Sequence, residues 1–192
     1  YVQANKINYM RNSVKAIVDA YDGSVRLFRW DDQDPILRTW EKIYPGSVEP
    51  ISSISGDLMS HLRYPEDMFK VQRNLLATYH VTDAAGFYSG GDRWRLAEET
   101  STYGAASSTA SSPRVDAMGN PLPAPTALQP PYYLTMQMPG QESAEFSLTS
   151  VFVPGGGGEG RREAMAGFLA VDSETGSTPG QVREGYGKLR LL

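Results

Sequence analysis

A low-complexity tract at about residues 100–131 constrains the fold of this chain more than any other feature. Ser, Thr, Ala, Gly and Pro dominate the tract, so it cannot bury enough apolar area to offset the entropy lost on ordering. The residues that follow it are too few to form a stable domain alone. We therefore predict a single domain over residues 1–192, with the tract as a flexible surface excursion rather than a linker between domains.

The first part of the chain carries the pattern of a β-hairpin. Residues 14–20 and 25–30 are β-prone runs on either side of Asp22 and Gly23. Asp-Gly between two such runs is the strongest short-range signal for a hairpin, because glycine tolerates the positive φ that a tight turn requires. A helix over residues 13–20 is the alternative, since periodicity does not separate the two structures over so short an apolar run.

Helix signals are concentrated in the first half of the chain. Asp34 and Pro35 are typical of a helix start, because Asp caps free backbone N–H groups and Pro is tolerated in the first turn. A longer helix is predicted from Pro65 to about Tyr79, with short helical turns at 56–62 and 82–88. The apolar face predicted for the first helix comprises Ile36, Leu37, Trp40, Ile43 and Tyr44. The buried side predicted for the longer helix comprises Met68, Phe69, Leu75, Leu76 and Tyr79.

Strand-like runs follow the tract and are separated by loops rich in Gly and Pro. They lie at Tyr132–Met138, Glu145–Val153, Ala166–Asp172 and Tyr186–Leu191, with one more short run at Trp94–Leu96. Without helices long enough for crossovers, such runs favour antiparallel pairing. The sequence therefore predicts an α+β fold with a mainly antiparallel sheet, which the N-terminal hairpin joins.

Charge and composition exclude several classes of protein. The chain has 18 basic and 22 acidic residues, and the basic ones are scattered, whereas a nucleic-acid-binding protein needs a concentrated basic stripe. The absence of cysteine excludes disulfides, thiolate metal sites and cysteine nucleophiles. No run approaches the roughly 18–20 apolar residues that span a bilayer. We expect no nucleic-acid partner and no cofactor, and the start at Tyr1 without a signal segment predicts an internal fragment.

Known catalytic and metal-binding motifs are missing from the sequence. His61 and His80 are the two histidines, and no HExxH spacing accompanies them, so we expect ordinary positions on helix surfaces or ends. The glycine run that begins at Gly155 lacks the Gly-Lys-Ser/Thr ending of a phosphate-binding loop and is predicted to be a hairpin loop. Residues 31–34 lack the glycine and terminal glutamate of a calcium loop, and helix capping explains Asp34. No G-x-S-x-G nucleophile elbow occurs.

The most distinctive cluster of polar residues sets a cation, a phenol and two carboxylates around the predicted helix start at Pro65. It consists of Arg63, Tyr64, Glu66 and Asp67. As a binding site, Arg63 would bind an anion and Tyr64 would offer a stacking surface. As a structural element, Glu66 and Asp67 would favour the helix start through the dipole, and Arg63 would donate a salt bridge. The structural interpretation is favoured. Five aromatic residues could line a glycan or peptide groove: Trp30, Trp40, Trp94, Tyr132 and Tyr133. Because they recur at strand and helix spacing, we expect most of them in the core instead.

Short stretches spread over nearly the whole chain match one family pattern. They are Asn8–Ala16, Val18–Val25, Asp34–Leu37, Tyr44–Gly46, His61–Lys70, Tyr79–His80, Pro131–Thr135, Glu145–Ser150 and Tyr186–Leu189. Through them the chain resembles an uncharacterised, UPF-type family of bacterial multipass membrane proteins, with about seven N-terminal transmembrane helices and a large soluble C-terminal region. The resemblance implies that this chain is a fragment of that soluble region and that its parent lies in the cell membrane.

The resemblance also sets the functional expectation. An odd number of transmembrane helices would place the C-terminal region on the side opposite the N-terminus, and we expect it outside the cytoplasm. We expect a non-enzymatic module that binds an envelope component or a protein partner, or that scaffolds the membrane part of the parent. The alternative is a hydrolase of cell-envelope material that uses carboxylates such as Asp19, Glu66 or Asp67 as acid and base. That mechanism requires two carboxyl groups in one cleft, roughly 5–9.5 Å apart for glycoside hydrolysis. A third hypothesis is a site completed only by the rest of the parent.

Overall fold

A computed structural model of the chain describes residues 9–99, 128–155 and 164–192. The elements in chain order are β1 (Val14–Val18), β2 (Val25–Arg29), α1 (Pro35–Ile43), β3 (Glu49–Pro50), α2 (Gly56–His61), α3 (Glu66–Tyr79), α4 (Ala84–Ser89), β4 (Trp94–Leu96), β5 (Tyr132–Met136), β6 (Glu145–Pro154), β7 (Gly167–Asp172) and β8 (Leu189–Leu191). The predicted α+β class and the grouping of helices in the first half are confirmed. Most of the predicted excursion, and the glycine run beyond Gly155, lie outside the described residues.

The N-terminal hairpin is confirmed, and the alternative helix is wrong. β1 and β2 pair antiparallel, with Val14 opposite Arg29 and Val18 opposite Val25. Gly23 has a φ of 73°, the left-handed conformation for which glycine is preferred in a tight turn. The Asp-Gly signal therefore predicted the local structure correctly.

The prediction that this hairpin joins the C-terminal strands is wrong among the described residues. The hairpin belongs to a three-stranded sheet of order β1-β2-β3, while β4, β6, β7 and β8 form a second sheet in which β5 also pairs with β6. The physical reason is the short strand β3, which returns after α1 and pairs parallel with β2, placing Phe28 opposite Glu49. α1 provides the crossover to this parallel strand, so the edge of β2 away from β1 is already paired.

The two main helices begin where the sequence predicts. Asp34 caps α1 by accepting the Ile36 N–H, and α3 begins directly after Pro65. The buried side predicted for α3 is partly wrong, because Leu75 and Tyr79 are exposed by 53% and 65%. The buried residues of α3 recur every four positions: they are Phe69, Arg73 and Ala77. Leu75 and Tyr79 lie two positions after members of that series and therefore point to the other side of the helix.

The chain divides into two compact units. The first comprises Tyr1–Gln72, Tyr133–Leu148 and Ala170–Arg190, and the second comprises Arg73–Tyr132, Thr149–Leu169 and Leu191–Leu192. A cluster of Phe28, Ile54 and Met59, all fully buried, forms a core in the first unit. In the second unit the Trp94 ring lies 5.4 Å from the buried Phe152 ring, centroid to centroid. The single domain over residues 1–192 stays a prediction.

The helices of the described segments are short. The longest, α3, has 14 residues, and none of them combines the length and apolar character that a membrane span requires.

Candidate functional site

Arg63 lies just after α2, and its guanidinium is engaged by the neighbouring backbone. Nη1 donates to the carbonyl oxygens of Ser60 and Leu62 over 2.6 and 2.9 Å. The guanidinium carbon lies 5.3 Å from the centroid of the Phe146 ring. Arg63 therefore satisfies carbonyls that a helix end leaves without intrahelical partners. The salt bridge predicted for it is not found among the described residues.

Tyr64 is buried rather than displayed. Its side chain is 7% exposed, and its hydroxyl donates to Oε1 of Gln72 over 3.0 Å. Its backbone N–H donates to the Ser173 hydroxyl over 3.0 Å, and its ring centroid lies 5.9 Å from that of Tyr186. Burial raises the pKa of the Tyr64 phenol. These contacts fit the structural interpretation, and a ligand role for Arg63, Tyr64, Glu66 and Asp67 stays a prediction.

The carboxylates considered for acid–base catalysis contact residues that are close to them in the sequence. Glu66 and Asp67, in the first turn of α3, lie 2.6 and 3.5 Å from Nζ of Lys70. Asp19 accepts a hydrogen bond of 2.8 Å from the backbone N–H of Tyr21 in the hairpin turn. None of the three lines the cavity around Asp172 or the cavity around Lys15 in the first unit.

Both histidines lie at helix ends, as expected. His61 ends α2, where Nδ1 is 2.7 Å from the carbonyl oxygen of Asp57. His80 follows α3, where Nδ1 is 2.9 Å from the carbonyl oxygen of Leu76, and its ring stacks on Trp94 with centroids 3.5 Å apart. In the described segments, no three His, Cys, Asp or Glu side chains come together as a metal site.

The largest departure from expectation is an exposed apolar surface on α1. We call it the α1 face; its members are Ile36, Trp40, Ile43 and Tyr44, which are exposed by 53%, 54%, 55% and 58%. The rings of Trp40 and Tyr44 stack with centroids 5.9 Å apart and planes 10° apart. Leu37 is the one buried residue of α1. The helix thus has the amphipathic pattern of a core element, but most of its apolar side is in contact with solvent.

The orientation of α1 follows from two contacts. Leu37, which is 6% exposed, is the point at which the helix packs on the first unit. One turn later, Oε1 of Glu41 lies 2.6 Å from Nη2 of Arg29 on β2. Leu37 and Glu41 point towards the body of the unit, and at about 100° per residue Ile36 and Ile43 lie on the opposite side of the helix. Trp40, three positions after Leu37, lies at the edge between the two sides and is 54% exposed.

The expectation that most of the singled-out aromatic residues belong to the core is wrong. Trp40, Tyr132 and Tyr133 are exposed by 54%, 44% and 40%. Trp30 and Trp94 are half-buried. Strand and helix spacing reports which residues share a face, and it does not report whether another element covers that face.

A polar cavity of about 350 Å³ in the first unit was not foreseen. Two ion pairs line it: Arg190 Nη1 lies 2.7 Å from Asp172 Oδ2, and Arg183 Nη1 lies 2.5 Å from Glu145 Oε2. Gln141 donates to the other Asp172 oxygen over 3.1 Å. The residues come from distant segments without a common motif, so no sequence signal could have grouped them. Because each arginine is matched by a carboxylate, the cavity has no uncompensated charge at these positions.

Comparison with known proteins now identifies the family. The model of the Uncharacterised protein family (UPF0182) matches residues 2–192. The chain belongs to the UPF0182 family. A UPF0182 protein of Clavibacter sepedonicus is 51% identical over 191 residues, which cover 100% of this chain and 18% of the relative. Relatives from Leifsonia xyli and Tropheryma whipplei are 52% and 48% identical, over 97% and 98% of this chain. No solved structure matches the chain.

The UPF0182 relatives are much longer than the matched region. The chain spans 18%, 17% and 19% of the length of these three relatives. The resemblance to an uncharacterised UPF-type family is confirmed, whereas the multipass membrane topology stays a prediction. More than four fifths of each relative's length lies outside the matched region.

Proposed function

We propose that this region of UPF0182 proteins is a non-enzymatic interaction module that uses the α1 face to bind another part of the full-length protein. The observation that carries the proposal is the exposure of Ile36, Trp40, Ile43 and Tyr44, each more than half in contact with solvent on one helix. Covering such side chains is favourable by roughly 25 cal/mol per Å² of apolar area removed from water. Contiguous exposed apolar surface is typical of interaction sites.

The rest of the parent chain is the occupant that the comparisons favour. The relatives carry more than four fifths of their length outside the matched region. A segment of the same chain binds at a high effective concentration, so a face of four side chains is sufficient. A stable complex between separate proteins buries about 1,200–2,000 Å², which needs many more contact residues.

The location of the module is part of the proposal. The resemblance to multipass membrane proteins supports a parent in the cell membrane, with this region on the extracytoplasmic side. There the module would scaffold the membrane part of its parent. An envelope component, a separate protein or the lipid surface are the competing occupants of the α1 face.

The alternative function, a carboxylate-dependent hydrolase of cell-envelope material, lacks comparable support. Glu66 and Asp67 pair with Lys70, and Asp19 accepts a turn hydrogen bond. The carboxylates that do share a cavity, Glu145 and Asp172, are each paired with an arginine.

The proposal is tested by site-specific photo-crosslinking in the full-length protein. A photo-reactive amino acid in place of Trp40 should give crosslinks to peptides of the same chain outside this region. The matched control is Lys42, which is exposed on the opposite side of the same helix and should give no such product.

The other products of this experiment discriminate between the competing occupants. Crosslinks from position 40 to lipid would identify the membrane surface, rather than another part of the same chain, as the occupant of the α1 face. Crosslinks to a different protein would identify a separate protein as the occupant. Equal labelling from positions 40 and 42, or no product from either, would show that the α1 face is not a docking surface.

A further inference from the structure

A second cavity of the first unit, of about 270 Å³, differs from the polar cavity in the charges around it. It lies between the segment leading into β1 and the start of α3, and we call it the Lys15 cavity. Its apolar walls include Met10, Val14 and Met68. Two cationic residues, Arg11 and Lys15, line it, and among the residues that the structure describes no acidic one does.

The two cations differ in whether a carboxylate lies next to them. Arg11 forms an ion pair with Asp31. Lys15 has no carboxylate within ion-pair distance among the described residues. Its ammonium donates to the carbonyl oxygen of Arg63 over 3.1 Å and lies 5.0 Å from the centroid of the Trp30 ring. A half-buried ammonium with these partners still lacks an anion.

The groups that surround Lys15 do not provide that anion. Burial lowers the pKa of Lys15 to about 8, against an ordinary value of 10.5. The Tyr186 hydroxyl donates to the same Arg63 carbonyl over 3.3 Å, and burial raises its pKa, so it is a neutral phenol at neutral pH. The pKa of the nearby Tyr64 is also raised by burial. Arg11, which lines the same cavity, and Arg63, whose carbonyl oxygen accepts from Lys15, are cations.

We propose that the Lys15 cavity binds a small amphipathic monocarboxylate. Its carboxylate pairs with the Lys15 ammonium, and its apolar group lies against Met10 and Met68. The volume supports a ligand smaller than a drug-sized molecule, for which pockets measure roughly 300–1,000 Å³. This site is separate from the α1 face and does not depend on the function proposed for it.

The test uses hexanoate, hexylammonium and hexanol as probes of one size and three charge states. Isothermal titration calorimetry on the 192-residue chain at pH 7 should give a hexanoate affinity at least about tenfold above that of either other probe. Lys15→Met should reduce hexanoate affinity by about tenfold or more, and Lys15→Arg should retain most of it. Lys188→Met is the matched control, because Lys188 lines the polar cavity instead, and it should change nothing.

A readout on the unaltered chain covers the case in which Lys15→Met does not fold. Hexanoate affinity should fall as the pH rises above the pKa of Lys15, because the ammonium that pairs with the carboxylate is lost. Equal binding of hexanol and hexanoate would identify an apolar pocket only and would overturn the anion assignment. Undiminished hexanoate binding by a folded Lys15→Met chain would place the carboxylate elsewhere. The absence of binding by all three probes would exclude the site.

Discussion

The Ser13 hydroxyl donates to Oδ2 of Asp34, which joins the start of the β-hairpin to the start of α1. Both residues are buried, with exposures of 8% and 4%. The other Asp34 oxygen accepts from the Ile36 N–H over 2.8 Å and from the Tyr9 hydroxyl over 2.9 Å. One carboxylate therefore serves as a helix cap and as a tertiary contact.

Replacing Asp34 by Ala should lower the melting temperature by about 2–4 °C, because the Ile36 N–H and the Ser13 hydroxyl lose their acceptor. Thermal unfolding followed by circular dichroism measures the change. Asp32→Ala, at an exposed neighbouring position, is the control and should have little effect. Equal losses for the two variants would show that the cap contributes nothing specific.

The same carboxylate should make stability sensitive to acid. The hydrogen bond from Ser13, followed by those from Ile36 and Tyr9, lowers the pKa of Asp34. Because the pKa is lower in the folded than in the unfolded state, the stabilisation is present above the unfolded pKa of about 3.9 and is lost as the pH falls through the folded pKa. The difference in melting temperature between wild type and Asp34→Asn should therefore shrink below about pH 4. A difference that is constant with pH would contradict this.

Adjacent residues of α1 should differ sharply in their contribution to stability. Leu37→Ala should cost about 2–3 kcal/mol, since Leu37 is 6% exposed and a cavity replaces it. Ile36→Ala, on the α1 face, should cost less than about 1 kcal/mol, since Ile36 is 53% exposed. Urea unfolding of the 192-residue chain measures both. Similar costs would mean that the orientation of α1 in solution differs from that in the structure.

Lys15 should give the chain an unusual gain in stability at alkaline pH. Its folded pKa of about 8 lies below the ordinary value of 10.5, so between these values the unfolded state binds more protons than the folded state. Stability therefore rises with pH across that window. Subtracting the unfolding free energies of Lys15→Met from those of wild type, from pH 7 to 10.5, should give a difference that rises. A flat difference would show that Lys15 is not desolvated.

Gly56 should tolerate no side chain, although it lies in the first turn of α2. Gly-to-Ala changes in helices ordinarily stabilise by roughly 0.5–1 kcal/mol. At Gly56, an added Cβ would lie 2.3 Å from the carbonyl oxygen of Ser177, so we expect a loss of about 1–3 kcal/mol instead. Gly91→Ala is the control, because its nearest neighbour would be the Ser89 hydroxyl at 3.7 Å. A stabilised Gly56→Ala chain would show that the Ser177 loop moves away freely.

The comparison of Gly56 with Asp34 shows what the sequence could and could not predict. Helix starts, the hairpin turn and most strands are set by neighbouring residues, and they were predicted correctly from caps, Asp-Gly and alternation. The contact of Gly56 with Ser177 joins residues far apart in the chain, and no local pattern records it. The hairpin was assigned to the wrong sheet for the same reason, since the two residues of β3 carry almost no strand signal.

The sites show the same limit. The pattern of α1 identified Trp40 and its neighbours as one apolar face, but their exposure depends on Leu37 and the Arg29–Glu41 pair. The polar cavity and the Lys15 cavity are assembled from separate segments, so their residues could not be grouped from spacing. The unusual composition of residues 63–67 reflects the junction of α2 and α3 as readily as a binding site.

The core around Phe28 has a consequence for the order of folding. Phe28, Ile54 and Met59, with the partly buried Ile17, Trp30, Ile51, Leu58 and Leu62 packed against them, all come from one continuous stretch of the chain. Contacts at short sequence separation need little loop closure, and they form faster than pairings between distant strands. Once residue 62 has left the ribosome, every side chain of this cluster is available, and folding can begin before any strand of the second sheet has emerged from the ribosome.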